Sequence, residues 1–116
     1  MYIQGFLIPV PAEKESDYLA LAKSFDSIFM DHGAIEVVEA WEDDVPDGKV
    51  TDFRRAVAAQ PGEKVVFSWV IWPDKETAKA AEDSIMAADT PDMSEMPFDG
   101  KRLVHGGFRS ILELGR

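Results

Sequence analysis

Positions 65 to 72 are apolar on both of the faces that a β-strand would present. Alternate residues of a strand point to opposite sides of its sheet. One face would carry Val65, Phe67, Trp69 and Ile71, and the other Val66, Ser68, Val70 and Trp72. Each face needs a cover of its own. The pattern therefore predicts a central strand with more apolar surface than the rest of a short chain can bury.

The first third of the chain predicts two strands joined by a helix. Tyr2 to Ile8 alternates as a strand does, and Pro9-Val10-Pro11 ends it, because proline cannot donate to a ladder. A helix follows and stops at Gly33. Its apolar face consists of Tyr18, Leu21, Ala22, Phe25, Ile28 and Phe29. Ile35 to Glu42 predicts a second strand at a sheet edge, because one face is polar. Its other face presents Ile35, Val37, Glu39 and Trp41.

The rest of the chain predicts a short helix, the central strand, a longer helix and a last strand. Thr51 is the expected cap of the short helix. Asp74 is placed to cap the longer helix. The apolar stripe of that helix consists of Ala78, Ala81, Ile85 and Ala88. A loop over Asp89 to Asp99 leads to a strand from Lys101 to Leu112. Within it, Gly106-Gly107 predicts a bulge or a close approach by another group.

The order strand, helix, strand, strand, helix, strand predicts an α+β fold of the ferredoxin-like βαββαβ type, in one domain over residues 1–116. Two right-handed βαβ units place both helices on one face of a four-stranded antiparallel sheet. The other face stays bare in a monomer. Exposing a sheet face costs about 25 cal/mol per Å² of apolar area. We therefore expect a homodimer in which two sheets pair face to face about a two-fold axis.

Composition narrows the classes of partner. Among 116 residues, 12 are Lys or Arg and 22 are Asp or Glu, which gives a net charge of −10. So acidic a chain repels nucleic-acid phosphates and anionic membranes, and we expect neither as a partner. It has no cysteine, which excludes disulfides and thiolate chemistry. We see neither a secretion signal nor an apolar run of bilayer length. These features predict a soluble cytoplasmic protein.

Six short motifs follow one another in a distinctive order and spacing. They are Pro9-Val10-Pro11, His32-Gly33-Ala34-Ile35-Glu36, Asp43-Asp44-Val45, Val66-Phe67-Ser68-Trp69, Met96-Pro97-Phe98-Asp99-Gly100-Lys101-Arg102 and Gly106-Gly107-Phe108. Together they resemble the bacterial YbaA-like family, domain of unknown function family 1428, over nearly the whole chain. The resemblance implies the dimeric α/β-barrel superfamily and its paired sheets. Other branches of that superfamily include cofactor-free monooxygenases, haem-degrading enzymes and ligand-binding domains. The family itself implies no activity or catalytic residue.

His32 and His105 are the only histidines and the candidate catalytic residues, since histidine transfers protons near neutral pH. If both lined one cavity, they could also hold a metal beside a carboxylate. We favour ordinary roles instead, a helix-end contact for His32 and a strand-face position for His105. The sequence has no metal-ligand spacing, phosphate loop or dinucleotide fingerprint, so we expect no metal and no cofactor.

Tryptophans give the one indication of a ligand pocket. Trp41, Trp69 and Trp72 could wall an apolar cavity between sheet and helices, with Ser68 and the indole N–H groups as its polar part. The alternative is that these rings are ordinary core. Arg54 lies in the long connection and could close over an acidic ligand. An arginine in so acidic a chain more often neutralises a neighbouring carboxylate.

Three functions are consistent with these features. The first is binding of a small apolar or aromatic ligand between sheet and helices, by a protein without chemistry of its own. The second is a cofactor-independent, monooxygenase-like enzyme on an aromatic substrate, with His32 or His105 as its base. The third is a structural homodimer with a filled core. An open volume between helices and sheet separates the third function from the others. A histidine facing that volume separates the second from the first.

Overall fold

The computed structural model describes residues 1–87 and 96–115. Its elements are β1 (Tyr2–Pro11), a 3-10 turn (Ala12–Lys14), α1 (Glu15–Asp31), β2 (Glu36–Trp41), α2 (Phe53–Ala56), β3 (Glu63–Trp72), α3 (Lys75–Ala87) and β4 (Val104–Arg109). The four strands form one antiparallel sheet in the order β2-β3-β1-β4. This order confirms the predicted α+β, ferredoxin-like fold. Among the described helices, none combines the length and the apolar character that crossing a bilayer demands.

β1 continues past the predicted stop at Pro9-Val10-Pro11. β3 pairs with all of β1, whereas β4 pairs only with Tyr2–Leu7. Residues 8–11 therefore have a neighbouring strand on one side only. A proline there loses no ladder bond on the side without a neighbour. The predicted end of this strand was wrong because the proline rule depends on the number of neighbouring strands.

β4 is shorter than the predicted strand and is not broken by its two glycines. Gly106 lies opposite Gly5, and Gly107 opposite Gln4, within a continuous ladder. A Cβ atom at Gly107 would overlap the hydroxyl of Tyr2. Of the two predicted reasons for this glycine pair, the close approach is therefore confirmed.

The residues at the helix ends match the known preferences for helix caps, glycine after the last turn and aspartate before the first. Gly33 has a φ of +103°, a conformation that suits glycine, and it ends α1 as predicted. Asp74 caps α3 as predicted, through a hydrogen bond of 2.7 Å from the backbone N–H of Thr77. At α2 the prediction was wrong by one residue. Asp52 rather than Thr51 accepts the first-turn hydrogen bond, at 2.8 Å.

Both long helices cover the same face of the sheet. The residues of β3 on that face are Val66, Ser68, Val70 and Trp72, and each is at most 2% exposed. Tyr18 and Ala22 of α1 pack on one end of this face, and Ala78 and Ala81 of α3 pack on the other. Trp72 is therefore the tryptophan beneath the helices. Ala88 and residues 89–95 of the predicted loop lie outside the described residues.

Neither long helix lies on the opposite face of the sheet, which we call the open face, and the short helix α2 reaches one end of it through Phe53. By register it presents Ile3, Leu7, Val38, Phe67, Trp69, Val104 and Phe108. Phe67 is 47% exposed and Phe108 is 61% exposed. The Phe67 ring contacts Trp69 at 5.3 Å and Phe53 at 6.0 Å between ring centroids. The open face is thus a contiguous apolar surface.

A valine pair tests which face is the core. Val66 is 1% exposed and packs with Ile8 and Tyr18, so Val66→Ala should lower the free energy of unfolding by about 2 kcal/mol. Val50 is 93% exposed. Val50→Ala removes the same atoms and should change the free energy by less than about 0.5 kcal/mol. Urea unfolding followed by circular dichroism measures both, and equal losses would contradict the core described above.

Candidate functional site

A cavity of about 230 Å³ lies between α1 and the helix-covered face of the sheet, and we call it the inner cavity. Most of its wall is apolar and comes from β1, α1 and the segment before β4. It includes Phe6, Ile8, Phe25, Phe29, Phe98 and Leu103. No side chain that lines it in the described part of the chain is basic. Its polar wall is confined to one place, where α1 faces β2 and β3.

The carboxylate of Glu39 is the centre of that polar wall. The Tyr18 hydroxyl donates a hydrogen bond to Glu39 Oε1, and the Ser68 hydroxyl donates to Oε2 at 2.8 Å. Asp26 makes a third hydrogen bond with the same group. Two carboxyl groups can be hydrogen-bonded only if one of them holds a proton. Asp26 and Glu39, which we call the carboxyl pair, therefore hold one proton between them below the pKa of Asp26, about 7.

Local structure explains how these groups meet. Asp26 follows Ala22 by one helical turn, so it lies on the sheet-facing side of α1. Glu39 alternates with Val37 and Trp41 on the helix-covered face of β2. In the sheet register Glu39 is directly opposite Ser68. Asp26 of α1 and Ser68 of β3 are therefore both placed beside the carboxylate of Glu39.

The environment shifts the ionisation of two of these groups. Burial raises the pKa of Asp26 to about 7, and the neighbouring charge of Glu39 and the hydrogen bond to it act in the same direction. Burial, followed by the hydrogen bond to Glu39, also raises the pKa of Tyr18 far above its usual value. Tyr18 therefore stays a hydrogen-bond donor, while Asp26 can take up or release a proton near neutral pH.

The carboxyl pair is also the wall of a second opening. A cleft between α1 and β2, which we call the edge cleft, is bordered by both members of the pair together with Lys23 and Glu36. The same two carboxyl groups line the inner cavity. Asp26 and Glu39 therefore lie between the inner cavity and the edge cleft.

One side of the inner cavity is closed by the segment before β4. The guanidinium of Arg102 donates two hydrogen bonds, of 2.7 and 2.8 Å, to the carboxylate of Glu63. It donates a third, of 2.9 Å, to the carboxylate of Asp99. Arg102 holds the pKa values of both carboxyl groups below their usual range. Phe98 and Leu103 flank these anchored residues and line the cavity. The Phe98 ring also contacts Tyr18 edge to face, at 6.1 Å between centroids.

Of the predicted ligand-binding residues, only Ser68 lines the inner cavity. Trp41 packs beside it, against the cluster that contains Val66. The Trp72 indole donates to Gln4 Oε1 at 2.9 Å and borders a second cavity of about 470 Å³. The hydrogen bond pairs the indole N–H of Trp72 with the amide oxygen of Gln4, so neither of these atoms is left to bond a ligand in the second cavity. Trp69 lies on the open face, where its indole donates to Glu36 at 3.3 Å.

Arg54 lies away from the inner cavity. Its guanidinium donates to Glu42 Oε1 at 2.9 Å and to the backbone carbonyl of Glu63 at 2.8 Å. These bonds tie the long connection to the ends of β2 and β3. Arg54 thereby neutralises the carboxylate of Glu42, and a ligand-binding role for Arg54 stays a prediction.

The two histidines are separate from the inner cavity and from each other. His32 is exposed, and its Nδ1 lies 2.8 Å from the carbonyl oxygen of Ile28 in its own helix. His105 is an exposed residue of β4 that stacks on Phe6, with 6.3 Å between ring centroids. It borders the second cavity, not the inner one. A catalytic role for either histidine stays a prediction.

Asp26 and Glu39 are the site residues that sequence reasoning missed. Each carries a signal that could have found it. Glu39 is a charged residue on the apolar face of a strand, and Asp26 is a charged residue one turn from Ala22 on the apolar face of a helix. Charged groups are seldom placed at core positions without a partner. Within residues 1–87 and 96–115, no three His, Asp or Glu side chains converge as a metal site requires.

Comparisons with known proteins give a family and no activity. The model of the family described as "Protein of unknown function (DUF1428)" matches residues 1–100. The chain is similar to the proteins called "Uncharacterized protein YbaA" of Escherichia coli K12, Escherichia coli O157:H7 and Shigella flexneri. Each is 48% identical over 116 residues, which cover 97% of this chain and 97% of the relative.

The shared proton should be visible in the pH dependence of stability. The raised pKa of Asp26, about 7, means that the folded chain holds a proton that the unfolded chain has lost. Relative to Asp26→Asn, the wild-type chain should therefore lose stability as pH rises from about 4 to about 7. Urea unfolding across this range measures the difference. Asp83→Asn, at an exposed site of α3, should follow the wild type, and a flat Asp26 difference would contradict the shared proton.

Proposed function

This chain belongs to the DUF1428 family of proteins of unknown function, and we propose that it is a homodimeric protein that binds a small apolar or aromatic ligand in the inner cavity. The observation that carries the proposal is the wall of that cavity, which is apolar except for one cluster of hydrogen-bonded side chains around Glu39. Ligand sites for small molecules have this composition. A single-domain organisation and a cytoplasmic location stay predictions.

The size of the inner cavity supports a ligand of one aromatic ring with a substituent. A dry protein cavity of about 150 Å³ lined by aliphatic and aromatic residues accepts benzene. The inner cavity, at about 230 Å³, is larger. Ala22 contributes to this volume, since its small side chain leaves space between α1 and the sheet. A volume of this size favours ligand binding over the filled core of a purely structural homodimer.

The open face supports the homodimer. Its exposed Phe67 and Phe108 would be covered if two sheets packed face to face. Beyond β4, the side chains of Ile111, Leu112 and Leu114 are also exposed. A second copy of the chain supplies a surface of the same shape and chemistry through a two-fold axis. Such pairing leaves the helix side of each sheet, and with it the inner cavity, free for a ligand.

The ligand proposal predicts that filling the cavity abolishes binding. Toluene should bind the wild-type protein saturably and shift the NMR signals of residues that line the inner cavity. Ala22→Leu should weaken this binding at least about tenfold, because the larger side chain occupies the space. Ala80→Leu makes the same change at an exposed site of α3 and should leave binding unchanged.

Native mass spectrometry of the protein as purified tests the same proposal without a chosen probe, since a natural ligand would add mass to the chain. Absence of toluene binding by a well-folded wild-type protein would overturn the ligand proposal. Equal weakening by Ala22→Leu and Ala80→Leu would place the ligand elsewhere.

The homodimer proposal predicts that a charge on the open face separates the subunits. Phe67→Asp should convert a dimer into a monomer in sedimentation velocity at micromolar concentration, because the carboxylate would be buried without a partner. Leu19 of α1 is similarly exposed, but on the helix side of the sheet. Leu19→Asp should stay dimeric. A stable wild-type monomer at the same concentration would refute the proposal.

A further inference from the structure

We infer that the inner cavity selects a hydrophobic amine, which binds as its ammonium ion between Asp26 and Glu39. The inference rests on the proposed function, since it assumes that the inner cavity is a ligand site, and it adds the chemical class of the ligand. It is carried by the wall of the cavity, which combines two hydrogen-bonded carboxyl groups with aromatic rings.

The charges of the wall exclude one class of ligand. Among the described residues that line the cavity, Asp26 and Glu39 have the only carboxyl groups, and none is basic. A carboxylate or phosphate entering here would lose its water and face like charge without a counterion. A neutral hydrocarbon would fit the apolar part but would gain nothing from the carboxyl pair. A cation gains from both carboxyl groups.

The aromatic rings favour the same class. Phe6, Phe25, Phe29 and Phe98 line the cavity, and Tyr18 joins them beside the carboxyl pair. The face of an aromatic ring attracts a cation within about 6 Å of its centroid. Rings also bury the hydrocarbon part of a ligand. An ammonium group on an apolar body matches both parts of this wall.

Binding replaces the shared proton by the ammonium group. Without a ligand, the proton of Asp26 joins the two carboxyl groups. An ammonium ion has three N–H donors and can bond both carboxylates at once. Asp26 then releases its proton through the edge cleft, so below the pKa of Asp26 one proton leaves for each ammonium that enters. Tyr18 and Ser68 keep Glu39 in position throughout, because their hydrogen bonds go to its two separate oxygens.

This exchange makes the affinity depend on pH in a defined direction. The groups that face the pair are Tyr18 from α1, Ser68 from β3 and Lys23 at the edge cleft, while Glu36 borders that cleft with its carboxylate bonded to Trp69. Below the pKa of Asp26, about 7, binding must expel a proton. Affinity for an amine should therefore rise with pH up to that value, and then level off until the amine loses its own proton. A neutral ligand expels no proton.

Three probes, each with a single phenyl ring, test the inference. They are benzylamine, benzyl alcohol and benzoate, whose substituents are cationic, neutral and anionic. Calorimetry at about pH 7.5 should give benzylamine at least a tenfold advantage over benzyl alcohol, and no detectable binding of benzoate. At about pH 5.5 the advantage should shrink. Glu39→Gln and Asp26→Asn should remove it while benzyl alcohol still binds. Asp83→Asn, at an exposed site of α3, should retain it.

Proton release gives a test in the wild-type protein, should the two variants fail to fold. Benzylamine binding should be measured by calorimetry at about pH 6 in two buffers of different ionisation enthalpy. The difference between the two binding enthalpies should correspond to the release of close to one proton per ligand. Equal affinity for benzylamine and benzyl alcohol, or no proton release, would overturn the amine inference while leaving the inner cavity a ligand site. Failure of all three probes to bind would overturn the proposed function, and this inference with it.

Discussion

The rest of the structure depends on one constraint: a single antiparallel sheet is apolar on both faces, but both long helices of the described chain lie on the same one of them. On that side, α1 and α3 bury the even-numbered residues of β3, from Val66 to Trp72. On the other side, Phe67 and Trp69 lie on the open face. The constraint thus divides the molecule into a side with a core and a cavity and a side suited to a second copy of the chain.

The inner cavity exists because the core is not filled evenly. A carboxylate on a core-facing strand position is costly unless its hydrogen-bonding capacity is met. Glu39 meets this condition with three partners from two elements, which are Tyr18 and Asp26 of α1 and Ser68 of β3. Because β2 is an edge strand, the edge cleft reaches the same carboxyl pair from the side. The polar cluster therefore stabilises the contact between α1 and the sheet while staying accessible to protons.

The segment before β4 has a physical role that its sequence alone does not reveal. Asp99 and Arg102 belong to a motif that we recognised only by its resemblance to a family. In the structure, Arg102 joins that segment to Glu63 at the start of β3. The anchored segment holds Phe98 and Leu103 against the inner cavity. The motif therefore shapes the cavity through its charged residues and lines it through its apolar ones.

The sequence by itself determined the elements, their order, the two apolar faces of β3 and the position of β2 as an edge strand. Periodicity is enough for this, since it reports which residues of one element share a face. Only the tertiary structure decided that Trp72 lies beneath the helices and Trp69 on the open face. Only the tertiary structure brought Asp26 of α1 to Glu39 of β2. The physical reason is that such pairings depend on how one element packs on another, and alternation along a chain carries no information about that.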